Sequence, residues 1–219
     1  NRKIVFNKVI IKNKKSMEHP SKERTLVIIK PDGVQRSLVG EIIRRYERTG
    51  LKLSAIKMMI ATEELATKHY YEVGGDEWIE EVGRKARAAY EKKGQESPYK
   101  TNKDNGWAVL KSNAKYLSSG PVVCMIWQGN QAVALVRKIT GGTEPLSSDV
   151  GTIRGDLTLD SYAMADTDQR SVRNLIHASG SVEEAEKEIP IWFKKEEILN
   201  YRLIAESILY DVNLDGIKE

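Results

Sequence analysis

Of the three histidines in this 219-residue chain, His177 alone lies in a run suited to chemistry: Arg173, Asn174, Leu175, Ile176, His177, Ala178, Ser179. Leu175 and Ile176 carry it to the end of a predicted strand, and small residues leave its ring reachable. A helix start follows at once, with Ser181 as N-cap and Glu184 three residues on completing a capping box. An imidazole fixed on a rigid element in this way serves as a nucleophile or general base near neutral pH. His19 and His69 carry no such context and are read as surface and structural residues.

Four further signals share one character: a cation or polar group beside Gly, Pro or Thr at the edge of a predicted element. They are Lys30-Pro31-Asp32-Gly33; Arg137 with Gly141, Gly142 and Thr143; Gly151 to Asp156 around Arg154; and Asn174 with His177 itself. Three separated cations with hydroxyl and amide donors suit a polyanion such as a nucleoside triphosphate. The glycine-rich phosphate loops of the common nucleotide-binding motifs are absent, as is a Gly-x-Ser-x-Gly elbow. No Cys and His spacing suggests a bound metal.

The elements that position these groups alternate. Leu26 to Lys30 reads as a strand; Val39, Ile42, Ile43 and Tyr46 as a helix; Leu51 to Ile60 as a second strand; Pro121 to Trp127 as a third. Ala132, Leu135, Val136 and Ile139 mark another helix, and the fourth strand leads to His177. Thr62 caps a brief helix carrying Tyr70. Trp78, Ile79, Val82, Ala86, Ala89 and Tyr90 line a helical face, after which Gln95 to Gly106 reads as loop. Short helices end the chain. With the middle stretch set aside, the order is that of a ferredoxin-like βαββαβ antiparallel sheet, an α+β fold with helices on one face. The first and third strands are apolar at nearly every position, so the second face also needs a cover, and a partner subunit is the candidate.

The formal charge of +4 resides in the N-terminal stretch: residues 1–16 hold six basic side chains and no acid, leaving 29 basic against 31 acidic residues in the remainder. A basic leader of this kind is read as a disordered tail, with nucleic-acid contact its alternative role. No run approaches the ~20 apolar residues needed to span a bilayer. The single Cys124 forms no internal disulfide, which suits a reducing, cytoplasmic setting.

The runs Glu23-Arg24-Thr25, Ile29 to Arg36, Val39 to Ile43, Ser119 to Val123, Gly142 to Pro145, Thr152 to Asp156, Asn174 to Ser179 and Ala185 to Ile189, with Trp192 and Phe193, together resemble nucleoside diphosphate kinase. The resemblance covers about residues 23–71, 118–157 and 173–205 in the family's order. It implies γ-phosphoryl transfer from a nucleoside triphosphate such as ATP to a nucleoside diphosphate, ping-pong, through phospho-His177. Position by position, His177 is the nucleophile through Nδ1 and Glu188 holds the other ring nitrogen. Lys30 meets the γ-phosphate and the ribose 3′-hydroxyl with Tyr70 beside them; Arg137, Thr143 and Arg154 bind phosphates and Asn174 the ribose. Mg²⁺ is implied as cofactor, carried by the phosphates rather than by a protein cage, and a homo-oligomer is implied as the assembly. The division that follows is a basic tail over residues 1–22 and a kinase-like domain over 23–219, with insertions at about 72–118 and 157–172.

The chain departs from the family's pattern at three points. Ser179-Gly180-Ser181 replaces Ser-Asp-Ser and removes a carboxylate from a helix start, where Glu183, Glu184 and the Ser181 cap are the available substitutes. The family's base-stacking phenylalanine has no counterpart, and Trp78 is the nearest aromatic. The second insertion, which holds Asp160, Asp166 and Asp168, falls between two active-site runs and is read as a lid, a subunit contact or a tolerated loop. The alternative function is a catalytically weak nucleotide-binding regulator or nucleic-acid-associated relative, with Gly180 its one support.

Overall fold

A computed structural model describes residues 20–211 and 213; His19 and the basic stretch over 1–16 lie outside the described residues. The strands are β1 (Arg24–Ile29), β2 (Lys52–Ile60), β3 (Pro121–Gln128) and β4 (Ile176–Ala178). Between β1 and β2 come α1 (Pro31–Gln35) and α2 (Val39–Glu47), and between β2 and β3 come α3 (Glu63–Lys92) and α4 (Asn102–Leu117). Next are α5 (Ala132–Thr140), α6 (Ile153–Leu157) and α7 (Tyr162–Thr167), then after β4, α8 (Val182–Trp192) and α9 (Glu206–Leu209). The strands form one antiparallel sheet in the order β2-β3-β1-β4, the ferredoxin-like arrangement.

Side chains alternate across a strand, so a strand apolar at every position must be covered on both faces. Leu26 and Ile28 of β1 with Val122, Cys124 and Ile126 of β3 pack against Ala66 of α3, Ala114 and Leu117 of α4, and Ala185, Ile189 and Trp192 of α8. Val27, Ile29, Val123, Met125 and Trp127 turn the other way, onto Ile42 and Tyr46 of α2, Ala132 and Val136 of α5, and Ile153 of α6. This corrects the expectation of a one-sided sheet awaiting a subunit. The chain covers both faces itself, and the insertion helps to do so through Ala114 and Leu117.

The insertion is also more regular than its composition suggests. The helix capped by Thr62, whose Oγ1 accepts from the Leu65 N–H at 3.1 Å, carries Tyr70 and breaks at Gly75 (φ 58°, ψ −160°), a conformation open to glycine, beyond which a second helical stretch runs to Lys92. The stretch read as loop to Gly106 becomes helix at Asn102, because Thr101 caps α4 by accepting from the Asp104 N–H at 3.0 Å. Gly106, taken for a loop residue, is a crossing point. A Cβ there would lie 2.0 Å from the Ile79 carbonyl oxygen, and one at Gly83 would lie 1.7 Å from that of Asn102. Both obstacles are backbone, so only glycine lets α3 and α4 approach this closely.

The second insertion is pinned rather than loose. Asp160, 5 % exposed, accepts from both terminal nitrogens of Arg170 and from the Arg173 N–H at 2.6 Å. Ser171 Oγ joins Ser112 Oγ and Asn113 Oδ1 of α4, each at 2.8 Å, and Lys93 pairs with Asp166. The two insertions therefore meet each other beside the segment that ends at Asn174. Among the described residues no helix is long and apolar enough to cross a membrane.

Candidate active site

His177 sits in β4, opposite Ile28 of β1, at a sheet edge next to the N-terminus of α8. Its side chain is 18 % exposed, accessible without being loose. The backbone leading to it is unusual: Leu175 has φ +64°, and the Ile176 N–H turns back to the Asn174 carbonyl at 2.7 Å. A branched residue in this tight turn carries strain of order 1–3 kcal/mol that the surroundings must hold. The Asp32 carboxylate accepts from the Leu175 N–H at 3.3 Å, and the Leu175 carbonyl accepts from the Lys30 N–H at 2.8 Å. The Lys30-Pro31-Asp32 run and the His177 run are thus fastened to each other through backbone.

Glu188, one turn and more into α8, is 1 % exposed and divides its carboxylate between two partners. Oε1 meets His177 Nε2 at 2.8 Å, and Oε2 accepts from Ser179 Oγ at 2.5 Å. Burial alone would push this carboxyl up, but the charge and hydrogen bond of His177, with His69 and the Ser179 hydroxyl, hold it down at about 2. It is therefore an anion at neutral pH, and an anion there assigns the Nε2 proton to His177. Nδ1 is left as the ring nitrogen with a free lone pair. Ser181 caps α8 as expected, accepting from the Glu184 N–H at 3.1 Å. The capping box is altered: the Glu184 carboxylate reaches the Gly180 N–H at 2.8 Å rather than that of the cap.

The cations gather around the segment that leads to His177. Lys30 Nζ donates to Asn174 Oδ1 at 2.7 Å, Asn174 Nδ2 donates to the Thr143 carbonyl at 2.9 Å, and Nζ also lies 5.0 Å from the centre of the Tyr116 ring. Burial, then the neighbouring Arg154 charge, lower the Lys30 ammonium to about 7 despite the opposing pull of Asp32. Arg154 is 9 % exposed and spends its donors on main-chain carbonyls: Asn174 (3.0 Å), Gly141 (3.1 Å), Gly142 (2.9 Å) and Ile176 (2.5 Å). Four of its five N–H groups are thereby used, and burial lowers it to about 10, still cationic at neutral pH. Among the described residues neither cation has a carboxylate within ion-pair distance.

Arg137 is exposed in the last turn of α5, and Thr143 is exposed in the loop whose Gly141 and Gly142 carbonyls Arg154 holds. Tyr70, on α3, lies with its ring centre 6.4 Å from that of His177; burial and the Glu188 charge raise its hydroxyl above the ordinary phenol range. Trp78 stacks nearly parallel on Tyr70 at 6.4 Å, so its ring is directed at the site's edge through that tyrosine. The structure thus gathers Lys30, Tyr70, Arg154, Asn174, His177 and Glu188, with Arg137 and Thr143 at the margin.

His69 was read as structural, and its place is closer to the chemistry than that. It is 1 % exposed and its ring stands perpendicular to that of His177, centres 4.4 Å apart. Its signal in sequence was its position three residues after buried Ala66 and next to Tyr70, one face of one helix. His69, His177 and Glu188 form the one cluster among the described residues with metal-ligand spacing, their ligating atoms within 4.8 Å. Trp192 Nε1 donates to His69 Nδ1 at 3.1 Å, so the neutral ring carries its proton on Nε2 and has no lone pair there for a metal.

The family profile described as nucleoside diphosphate kinase matches residues 23–84 and 82–198. A nucleoside diphosphate kinase of Pyrobaculum aerophilum is 45% identical over 181 residues, covering 81% of this chain and 98% of its own. The Bos taurus protein named nucleoside diphosphate kinase A 2 is 39% identical, over 86% of this chain and 97% of its own. Among solved structures, that of the Pyrobaculum aerophilum NDP kinase superposes with a TM-score of 0.79 at 42% identity, over 82% of this chain and all of the other. A Borrelia burgdorferi nucleoside-diphosphate kinase, solved as a transition-state mimic with vanadate and ADP, superposes at 0.70 with 37% identity, over 85% and 95%. With the profile, the relatives and the sheet order in agreement, this chain belongs to the nucleoside diphosphate kinase family.

Proposed function

We propose that this chain moves the γ-phosphoryl group of a nucleoside triphosphate to a nucleoside diphosphate by a ping-pong route through phospho-His177. The observation that carries the reading is the His177–Glu188 pair at 2.8 Å, which leaves Nδ1 as the attacking atom beside two buried cations without carboxylate partners. Attack forms the Nδ1–P bond as the bond from phosphorus to the β-phosphate oxygen breaks, and the nucleoside diphosphate leaves with that electron pair. Charge spreads over the equatorial oxygens, where Lys30 and Arg154 with Arg137 and Thr143 act by position and field rather than by covalent chemistry. The imidazole becomes cationic and Glu188 balances it. Asn174 and Lys30 hold the ribose, and Tyr70 stands beside them. A second diphosphate reverses the steps.

Mg²⁺ fits as a guest of the nucleotide. Among the described residues the phosphate-facing groups are cations and amides, and the one metal-spaced cluster is committed to hydrogen bonds. When bound, it would take the phosphates as its ligands and would supply charge neutralisation there. A homo-oligomer has its own support: edge strand β2 exposes Ile56, Met58 and Ile60 at 50 %, 62 % and 69 %. The domain is taken to run from Glu23 onward, with the stretch at about 72–118, which holds the rest of α3 and nearly all of α4, and the 157–172 segment as additions.

The test is incubation with γ-labelled ATP and a chase with GDP. An acid-labile, base-stable phosphate on His177 that passes to GDP is the expected result. Label that never forms, or forms and does not transfer, returns the chain to the passive nucleotide binder.

A further inference from the structure

We propose that His69 is a positioning residue for the nucleophile, its Nε2–H aimed at the carboxylate oxygen that holds His177. The proposal rests on the kinase reading above and names a residue which that reading does not use. Indole nitrogen can only donate, so the 3.1 Å contact with Trp192 fixes His69 Nδ1 as acceptor and places the ring proton on Nε2. That N–H is fully buried and has no hydrogen-bond partner among the described residues. Glu188 Oε1 lies 3.9 Å from it, the same oxygen that meets His177 Nε2 at 2.8 Å. Two imidazole Nε2 atoms therefore lie within 4 Å of one carboxylate oxygen, one bonded to it and one just beyond hydrogen-bond reach.

A buried donor without an acceptor is uncommon, and packing alone does not call for one. A phenylalanine would fill the same space between Tyr70 (4.9 Å), His177 (4.4 Å) and Trp192 (5.6 Å); it would give up the Trp192 hydrogen bond and place no donor near Glu188. What histidine adds is a neutral dipole. Burial first, then the His177 and Lys30 charges, push its pKa down to about 3 against the pull of Glu188, so it brings no second positive charge beside an imidazole that must itself become cationic. As the Nδ1–P bond forms and the nucleoside diphosphate departs, positive charge on the His177 ring draws Oε1. A second N–H on that oxygen and a perpendicular ring against His177 restrict where both can go. The ring that attacks is then held in plane and in line.

The test uses the full chain, with His69→Phe and His69→Gln beside the parent. Single-turnover formation of phosphohistidine from ATP is followed together with ADP affinity and melting temperature. His69→Phe keeps the ring volume and lacks both nitrogens; it is expected to slow phosphorylation about tenfold or more with ADP affinity unchanged. His69→Gln restores an N–H near the Nε2 position and is expected to recover most of that loss. Equal slowing in both variants, or parent rates in His69→Phe, overturns the proposal. Long-range ¹H–¹⁵N spectra of the unaltered protein keep it open to refutation should a variant fail to fold: an Nε2–H tautomer at His69 is required, and an Nδ1–H tautomer overturns it. Failure of the parent to form phosphohistidine counts against the kinase reading instead, and the tautomer measurement distinguishes the two.

Discussion

Around His177 the chain supplies the partners, while around Lys30 and Arg154 it withholds them. The nucleophile's ring is tied to Glu188, Glu188 is tied to Ser179, and the backbone before it is tied to Asp32 and Lys30. The cations a short way off are buried, yet among the described residues they donate to carbonyls and an amide oxygen rather than to carboxylates. Buried charge is normally paired, because an ion taken out of water loses its hydration. The contrast shows which parts of the reaction are prepaid by folding: orientation is built in, and countercharge is left for the triphosphate to bring.

The sharpest way to break this comparison is Arg154→Ala, because Arg154 belongs to both sides. It leaves four carbonyls without their donor and removes one of the two buried cations of the phosphate site. The expected cost is about 2–4 kcal/mol in unfolding free energy and ~10²–10³-fold in kcat. Urea titration and steady-state rates check both. A loss of rate with parent stability would mean that the carbonyl contacts are incidental.

Glu188→Gln breaks the nucleophile's side alone. A hydrogen bond to a charged group is worth about 1.5–3 kcal/mol, so kcat should fall about 10- to 150-fold with KM little changed. The stability sign follows from a carboxyl held down at about 2 in the fold against an ordinary 4.5. Its contribution is complete above pH 4.5 and is lost as pH falls toward 2, roughly 3 kcal/mol across that window. The Gln variant should show a correspondingly flatter acid limb in pH-dependent unfolding.

Lys30 sharpens the other side. Its ammonium is lowered to about 7, so it is part neutral in the free protein, and phosphate beside it must raise that value. Nucleotide binding should therefore take up protons, about half a proton at pH 7 and rising toward one near pH 8. Calorimetry in buffers of different ionisation enthalpy measures it. Lys30→Met should abolish the uptake; uptake that persists would place the titration elsewhere.

How far the residues alone revealed this division follows from distance along the chain. Short-range signals carry well: the apolar runs of β1 and β3 and the Thr62 and Ser181 caps are legible, whereas one site for Lys30, Arg154, Asn174 and His177, far apart in the chain, is legible only through the family resemblance. Long-range partners are not legible. Nothing local says that Gly83 and Gly106 meet, so the glycine of a helix crossing was taken for a loop, and the helices covering the second face were replaced by an imagined subunit. The sequence marks His69 only as structural for the same reason, since its meaning depends on Trp192, 123 residues away. Arg154 was expected to face phosphate, and its service to four carbonyls is invisible until the loops at 141–142 and 174–176 close around it.

The smallest effect is expected at Gly180, where the nucleophile's side lacks the family's carboxylate. The Glu184 side chain already occupies that place: its Oε2 accepts from the Gly180 N–H, and a Cβ on residue 180 would fall 2.4 Å from that oxygen. The obstacle is the far end of a flexible side chain, so Gly180→Asp should displace it without strain and exchange one carboxylate at the helix start for another. The net change should stay within about 1 kcal/mol, the scale of a cap or dipole interaction, and kcat should not move, because His177 is held by Glu188, itself held by Ser179, and not by Glu184. The exchange is tested by Glu184→Ala in each background. It should cost about 0.5–1 kcal/mol with Gly180 present and clearly less with G180D, a coupling that thermal unfolding can resolve. Equal costs would show that Glu184 acts on its own helix and that the missing aspartate has no stand-in.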